Sequence, residues 1–301
     1  MNYPYYPGCS LKSTGKPYDE SMRAVFTALG HSLEEIDDWN CCGATAYMSI
    51  SEEKAFALSA RNFALAEKHN GKGDVNLVVP CAACYLGLNK AQRYLREHDD
   101  LRQTVSKALA EAGLTYRGNV KVRHPLEVLI NDVGMDAIKA RVTRPLKGLK
   151  VASYYGCQLV RPYADFDDQH DPTSMDRIVT ALGGTPVDWP LKTRCCGGSL
   201  TGTVPDVGYR LSYVLLREAQ RRGCDVIITA CPLCQFNLEC YQPTMSRANH
   251  TTVHMPVVYF TQLMGVAFGL KERALGLQRL FVPFEFTPAA PESKGAVHAS
   301  A

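Results

Sequence analysis

The chain of 301 residues is 46% hydrophobic and 21% charged, which predicts a soluble globular protein of one large or two ordinary domains. Its formal net charge of +3 comes from scattered Lys and Arg, which argues against a nucleic-acid partner. The 12 cysteines are too sparse for a disulfide-stapled miniprotein, and a chain of this length can bury a core without disulfides. The cysteines therefore need another explanation.

The N-terminal residues lack the basic start and the apolar stretch of a secretory signal, so we expect a cytoplasmic, reducing location without persistent disulfides. The most apolar segment is residues 256–270, which is shorter than the roughly 20 residues that a membrane-spanning helix needs. No membrane span is predicted.

The first half of the chain predicts helices that alternate with short buried strands. Residues 19–29 place apolar side chains on one helical stripe that ends at Gly30, and Ser51 is suited to cap a second helix. Residues 75–79 form an apolar run of strand length, followed by a CxxC motif that opens a predicted helix over Ala82–Glu97.

The same order of elements recurs in the second half, where a strand over Val226–Thr229 leads into a CxxC motif and a helix over residues 233–241. This alternation predicts an α/β fold in which each half is a small, mainly parallel sheet flanked by helices. The carboxyl ends of parallel strands bind ligands, and helix N-termini lower thiol pKa values. Both CxxC motifs are therefore expected to supply thiolate ligands.

Ten of the 12 cysteines form two copies of one spacing pattern. In each copy a single Cys precedes an adjacent Cys-Cys-Gly, and a CxxC motif follows. An offset of about 150 residues indicates two duplicated domains rather than a solenoid. The two sets are Cys9, Cys41, Cys42, Cys81 and Cys84, and then Cys157, Cys195, Cys196, Cys231 and Cys234.

The repeat places two pseudo-symmetric domains at residues 1–145 and 146–287. The remaining residues, 288–301, are rich in Pro, Ala and Ser and are predicted to be a disordered tail.

Five thiols in each set indicate a metal site. Thiolates select zinc, copper(I) or iron–sulfur clusters. Structural zinc takes four ligands and accommodates two adjacent cysteines poorly, whereas a cluster can bind them through different iron atoms. Iron–sulfur is therefore favoured, and zinc in one half stays a minor alternative.

The complete pattern resembles the twin CCG domains of the heterodisulfide reductase B subunit family. The resemblance rests on the two Cys-Cys-Gly motifs with their upstream Cys and downstream CxxC, and it extends to residues 122–129 and 256–270. It implies that each five-cysteine set holds one noncubane [4Fe–4S] cluster, and that the two clusters face each other across the domain interface. Because the chain lacks the ferredoxin-type cysteine motif, its electrons would come from a separate protein.

The resemblance also implies a function, that of the catalytic subunit of a heterodisulfide reductase-like complex. A disulfide or a thiol-bound sulfur would be reduced or formed at the two clusters with one electron from each, and disulfide reduction takes two. The expected partners are the other members of that complex: a small ferredoxin-like protein, its C subunit, and a flavin-containing protein, its A subunit. The identity of the substrate and the direction of the reaction stay open.

His124 is the candidate catalytic residue, because a His can exchange protons near neutral pH. A lone His beside Arg123 and Pro125 is more typical of a structural residue, so both interpretations stay open.

Four other residues near the motifs have ordinary explanations. Cys224 and Cys240 lie outside the repeat and are expected to be buried thiols rather than ligands. Lys192 and Arg194 flank the second Cys pair, where they could offset charge, attract an anionic substrate or lie in a solvated loop.

Two other functions stay open. The chain could be a non-catalytic electron relay or docking subunit of a succinate or fumarate:quinone oxidoreductase, with residues 256–270 as a membrane-surface or partner-facing helix. We favour a buried C-terminal helix that packs across the two domains, because this segment lacks a flanking Lys and Arg face. A zinc-stabilised scaffold is the other possibility.

Overall fold

Two four-stranded sheets, both made of parallel strands, form the two halves of the chain. The structure is a computed structural model that describes residues 1–44, 47–71 and 73–287, so the predicted tail lies outside the described residues. The predicted α/β fold, with a small parallel sheet in each half, is confirmed.

The first sheet consists of β1 (Asn2–Tyr5), β2 (Ser32–Glu35), β3 (Val75–Val78) and β4 (Val120–Arg123), in the spatial order β2-β1-β3-β4. Its helices are α1 (Gly8–Leu11), α2 (Lys16–Ala28), α3 (Tyr47–Ile50), α4 (Glu52–Asn70), α5 (Ala82–Glu97), α6 (Asp99–Glu111), α7 (Pro125–Val128) and α8 (Met135–Ala140), with a π-helical turn over Leu129–Val133.

The second sheet repeats this topology with β5 (Lys150–Tyr154), β6 (Thr185–Pro186), β7 (Val226–Thr229) and β8 (Val257–Tyr259), in the order β6-β5-β7-β8. Its helices are α9 (Ser174–Ala181), α10 (Leu200–Thr203), α11 (Pro205–Arg221), α12 (Pro232–Cys240), α13 (Gln242–Ala248), α14 (Phe260–Ala267) and α15 (Glu272–Leu275), with a 3₁₀ turn over Leu277–Arg279.

The strongest sequence patterns predicted their elements closely. The helix after the first CxxC motif and the strand before the second have the predicted bounds, and the second CxxC helix begins one residue earlier than predicted. Ser51 caps α4, because its hydroxyl accepts a hydrogen bond from the Lys54 backbone N–H at 3.4 Å. The α2 helix begins three residues before the predicted start, since Pro17 is suited to a first helical turn.

Residues 257–268 are buried, as expected for most of the segment 256–270, but the segment is not one helix. They form the edge strand β8 and then α14, all of whose residues are buried. The α14 helix packs against α2 of the first half, where the Ser21 and Thr261 hydroxyls lie 2.7 Å apart. The segment therefore belongs to the interface between the halves. None of the described helices is long and apolar enough to cross a bilayer.

A buried carboxyl group fixes the C-terminal segment of the second domain onto α12. Glu239 is 2% exposed, and its Oε1 accepts a hydrogen bond from the Val282 backbone N–H at 3.0 Å. The Gln235 side-chain amide donates to its other oxygen. Burial raises the pKa of Glu239 to about 7, because the interior disfavours the charged carboxylate.

This raised pKa predicts that the protein loses stability as pH rises. Between the ordinary Glu pKa and about 7 the folded state holds a proton that the unfolded chain releases, so the stabilisation is complete below that ordinary value and is lost through pH 7. Glu239→Gln should remove this dependence, so its free energy of unfolding should fall by about 1–3 kcal/mol less than that of the wild type over the same pH range. Urea unfolding of anaerobic protein at several pH values measures it, with the exposed Glu53→Gln as control. Parallel pH curves for wild type and Glu239→Gln would contradict the prediction.

Candidate functional site

The first five cysteines lie together at the carboxyl end of the first sheet. Cys9 is on α1 directly after β1, Cys41 and Cys42 follow β2, and Cys81 and Cys84 open α5 after β3. Their thiols are in contact in the order 9–41–42–84–81, with Sγ–Sγ distances of 3.9 Å for Cys9–Cys41 and 3.1 Å for Cys42–Cys84. Parallel strands thus bring together residues that are more than 70 positions apart in the sequence.

The second set repeats this arrangement at the carboxyl end of the second sheet. Its thiols are in contact in the matching order 157–195–196–234–231, and the Cys196 and Cys234 sulfurs lie 3.5 Å apart. All the cysteines are free thiols rather than disulfides. The structure therefore brings together both sets that the spacing pattern identified.

Matched glycines allow the sulfurs of each set to approach. Gly8 and Gly156 have φ angles of +70° and +68°, a conformation that side chains disfavour. A Cβ on Gly8 would lie 3.1 Å from the Cys84 sulfur, and a Cβ on Gly156 would lie 3.1 Å from the Cys234 sulfur. The Gly before each single Cys is thus required both by its backbone and by its neighbour.

Each set has a solvent-facing side and a buried side. Cys9, Cys41 and Cys195 are exposed and Cys157 is half-buried, whereas the remaining six thiols of the two sets are buried. Solvent therefore reaches each set from one side only.

Hydrogen bonds within the sets favour thiolate formation at one exposed cysteine of each set, and they raise the pKa of the neighbouring Cys9 and Cys157. The Cys42 and Cys9 thiols lower the pKa of Cys41, and the Cys157 and Cys196 thiols lower that of Cys195. Backbone N–H groups contribute as well, because Gly43 N lies 3.5 Å from the Cys41 sulfur and Gly197 N lies 3.3 Å from the Cys195 sulfur. These thiols are suited to be metal ligands.

The two CxxC turns meet at the interface between the halves. The backbone N–H of Ala82, the residue directly after Cys81, lies close enough to the Cys231 thiol to lower its pKa. Beside this contact, α1 packs against α12, and a Cβ on Gly15 would lie 3.0 Å from the Pro232 Cβ. The buried sides of the two cysteine sets therefore adjoin, and the expectation that two clusters face each other there stays a prediction.

His124 lies between these turns and is fully buried. Its Nδ1 accepts a hydrogen bond from Leu126 N–H at 3.2 Å, so Nε2 carries the proton and donates to the Pro80 carbonyl at 2.9 Å. The Ala230 carbonyl of the second half also acts on the ring. Burial lowers the pKa of His124 to about 3, so the ring is neutral. This geometry suits a residue that positions the segments before both CxxC motifs, and its catalytic role stays a prediction.

Two tyrosines beside the turns have buried hydroxyls that an iron–sulfur group could satisfy. The rings of Tyr18 and Tyr259 stack at 4.3 Å across the interface, within electrostatic reach of Cys81 and Cys231. Both hydroxyls are buried and have no hydrogen-bond partner among the described residues. A buried unpaired hydroxyl costs about 1–3 kcal/mol, and a sulfur acceptor held by the cysteines would satisfy it.

The number of sulfur ligands also favours an iron–sulfur group over a single metal ion. Within the described ranges, no three His, Cys, Asp or Glu side chains converge on a position for a single metal ion. Each set supplies five sulfurs in a row, a donor set that fits a cluster of several iron atoms. The residues present thus fit an iron–sulfur group in each half.

The repeated halves match a known protein family. Residues 3–89 and 151–239, which include both cysteine sets and more than half of the chain, match the CCG family, described as "Cysteine-rich domain". The chain belongs to the CCG family.

Curated CCG relatives extend over nearly the whole chain. The 8-methylmenaquinol:fumarate reductase membrane anchor subunit of Wolinella succinogenes is 31% identical over 91% of this chain and 95% of its own length. The B subunit of the ferredoxin:CoB-CoM heterodisulfide reductase of Methanosarcina mazei is 30% identical over 90% of this chain and 91% of its own length. An Archaeoglobus profundus protein, described as like the heterodisulfide reductase B subunit, is 28% identical, with coverages of 92% and 94%.

A solved structure shares the fold of this CCG protein. A hypothetical protein from Helicobacter pylori superimposes with a TM-score of 0.75 at 15% sequence identity. The match covers 94% of this chain but spans about half, 52%, of that chain.

The four other residues near the motifs of this CCG protein match their ordinary explanations to different degrees. Lys192 is buried and pairs with Asp171 at 2.7 Å and Asp176 at 2.9 Å, so it does not lie in a solvated loop. Arg194 is exposed. Cys224 is buried before β7, and Cys240 is half-buried at the end of α12.

Sequence reasoning missed four residues beside the cysteines. Tyr259 could have been found from the repeat, because it caps α14 after β8 as His124 caps α7 after β4. Tyr18, Arg161 and Asn237 carry no such signal, because the packing of distant segments brings them to the site.

The glycine before Cys157 provides a test of the site's geometry. Gly156→Ala should destabilise the protein by about 1–2 kcal/mol more than Gly30→Ala, because only the first variant also crowds a cysteine sulfur. Gly30 is the matched control, since its φ is +79° but a Cβ there would meet nothing within 4 Å. Anaerobic urea unfolding measures both. Equal losses would show that the close approach of Cys234 to Gly156 is not important.

Proposed function

We propose that this chain is the catalytic subunit of a heterodisulfide reductase-like complex, with a noncubane [4Fe–4S] cluster in each five-cysteine set. Its substrate class is a disulfide or a thiol-bound sulfur, reduced or formed with one electron from each centre. The observation that carries the proposal is the presence of two matching five-thiol sets whose CxxC turns adjoin at the domain interface.

The relatives support this proposal. One is the B subunit of a heterodisulfide reductase, another is described as like that subunit, and the chain spans more than 90% of each. Homologues of this kind are subunits of multi-subunit complexes. We therefore propose two partners in the cytoplasm, a ferredoxin-like iron–sulfur protein in the role of the C subunit, and a flavin-containing protein in the role of the A subunit.

The cysteine sets and their neighbours divide the chemistry. An iron–sulfur group bound in each set would supply one electron at a time, so a pair matches the two electrons of a disulfide. The buried thiols exclude water from the side where the sets adjoin, and the exposed thiols leave the other side open to substrate. Arg161 lies close enough to Cys195 for its charge to act on that thiol, so it would attract an anionic substrate.

Protons for the thiol products have two possible sources. The neutral His124 ring has hydrogen bonds on both nitrogens and a pKa lowered to about 3, which disfavours it as an acid near neutral pH. Solvent at the exposed side of each set is the simpler source.

Iron analysis of single variants tests the cluster assignment. Anaerobically reconstituted wild type should contain about eight irons and matching acid-labile sulfide per chain. Cys42→Ser should remove about half of this iron, because it takes one ligand from a single set. The matched control is Cys224→Ser, a buried cysteine outside both sets that should leave the iron unchanged.

The outcomes separate the proposal from a zinc scaffold. A colourless protein that contains zinc and takes up no iron on anaerobic reconstitution would overturn the proposal. Equal iron loss from Cys42→Ser and Cys224→Ser would overturn the ligand assignment.

Two His124 variants separate positioning from acid catalysis. His124→Gln keeps an amide N–H to bond the Pro80 carbonyl but cannot titrate, whereas His124→Phe keeps a ring without a donor. If His124 only positions the turns, His124→Gln should keep most of the turnover of a small disulfide with reduced viologen, and His124→Phe should lose iron and turnover together. A tenfold or larger loss in both variants with iron retained would instead support the predicted catalytic role.

A second function is favoured by one relative. The similarity to a fumarate reductase membrane anchor subunit supports a non-catalytic relay or docking subunit of a quinone-linked oxidoreductase. The segment expected to face a membrane, residues 256–270, is mostly buried, so another surface would be needed. Val204, Val207, Leu211 and Val214 offer one at α11, with 36–48% of each exposed.

Two assays separate these functions in the purified protein. Turnover of a small disulfide with reduced viologen, and no binding to liposomes, would support the enzyme. Liposome binding that Leu211→Asp abolishes, with no disulfide turnover, would support the relay.

A further inference from the structure

The two cysteine sets differ at one matched position of their CxxC helices. The third residue after the last Cys is Asn237 on α12 but Gly87 on α5. Asn237 is fully buried, and its amide nitrogen lies 3.4 Å from the Cys196 sulfur and 2.8 Å from the Gly198 carbonyl oxygen. The Thr201 hydroxyl donates to its amide oxygen at 2.9 Å, which fixes the orientation of the amide. The second set therefore has a side-chain N–H donor on a ligand sulfur.

The first set has no room for the equivalent donor. A Cβ on Gly87 would lie 3.1 Å from the Cβ of Ala44, closer than ordinary packing allows. Backbone donors to the two Cys pairs do not compensate, because they match: Gly43 and Ala44 act on the first pair, and Gly197 and Gly198 act on the second.

The cation that follows the single Cys of each set differs in its pairing too. In the first half, Lys12 follows Cys9 by three residues and pairs with Glu35 at 2.6 Å, which neutralises its charge. In the second half, Arg161 follows Cys157 by four residues and acts on Cys195. Its guanidinium donates to the Thr193 carbonyl, and no carboxylate in the described part of the chain pairs with it.

We infer that the two centres have unequal reduction potentials, and that the second centre, held by Cys157 to Cys234, is the stronger oxidant. This inference rests on the proposed function, that each set holds an iron–sulfur group. Hydrogen bonds to ligand sulfur and nearby positive charge stabilise an added electron and raise the potential of such a group.

The difference sets the order of electron flow. With an iron–sulfur group bound in each set, the second set would hold the first electron from a low-potential donor, and the first set would hold the next. The chain would then hold the two electrons that a two-electron reaction needs.

An anaerobic redox titration followed by EPR tests the inference. Wild-type protein should show two midpoint potentials, and Cys42→Ser, which disrupts the first centre, assigns the higher one to the second. Asn237→Leu should lower only this higher potential, with a shift of up to about tenfold in the reduction equilibrium, or 59 mV for one electron. Asn89→Leu is the matched control, because Asn89 lies on α5 and bonds the Tyr85 carbonyl rather than a sulfur.

The outcomes are distinct from those of the proposed function. Two iron–sulfur centres with equal midpoint potentials would overturn this inference but not the proposed function. An Asn237→Leu variant that changes neither midpoint potential, or changes both, would do the same. Wild-type protein that takes up no iron would overturn the proposed function and the inference with it. If Asn237→Leu fails to fold, Asn237→Asp keeps the Thr201 hydrogen bond while removing the N–H donor, and it should lower the same potential.

Discussion

The arrangement of the site depends on the contact between the two CxxC turns. Each turn ends a buried parallel strand and begins a helix, so its thiols lie where backbone N–H groups point outward and favour thiolates. Burying thiolate groups is costly unless hydrogen bonds or a metal offset their charge. The Ala82 N–H at Cys231 and the His124 ring between Pro80 and Ala230 show that each half completes the surroundings of the other.

Duplication of one domain explains why this contact has paired features. Both halves use the same strand order, the same order of thiol contacts and the same Gly before the single Cys. The two halves differ at the matched N-cap positions of α7 and α14, which are occupied by His124 in the first half and by Tyr259 in the second. The repeat thus supplies two similar sets of thiols, and the residues that differ between the halves give the two sets different surroundings.

The sequence predicts the parts of the fold that depend on local pattern. The apolar run of β7 and the CxxC helix α5 were predicted with the observed bounds, because burial and helix capping leave a periodic signal. The strand β2 was not predicted, because its residues Ser-Leu-Glu-Glu are largely polar and become a strand only by pairing with β1. The α/β class was still predicted correctly, because the alternation of helices and buried strands is clear even without β2.

The grouping of ten cysteines into two sets of five was predicted from spacing alone. Two copies of one pattern are a strong signal even when the members of a set are far apart in the sequence. The residues around these cysteines were not predicted. Asn237 and Arg161 acquire their roles only when α12 and the loop after Cys157 pack beside Cys196 and Cys195. Tyr18 and Tyr259 meet across an interface between residues 241 positions apart, which no local pattern describes.

The central claim is that two iron–sulfur centres adjoin across the domain interface and act as a pair. EPR of the anaerobically reconstituted chain, reduced by one electron and then by two, tests it most directly. We predict that the second electron broadens or splits the signal of the first, because spins on adjoining centres interact. Two signals that add without any change in shape or relaxation would contradict the account.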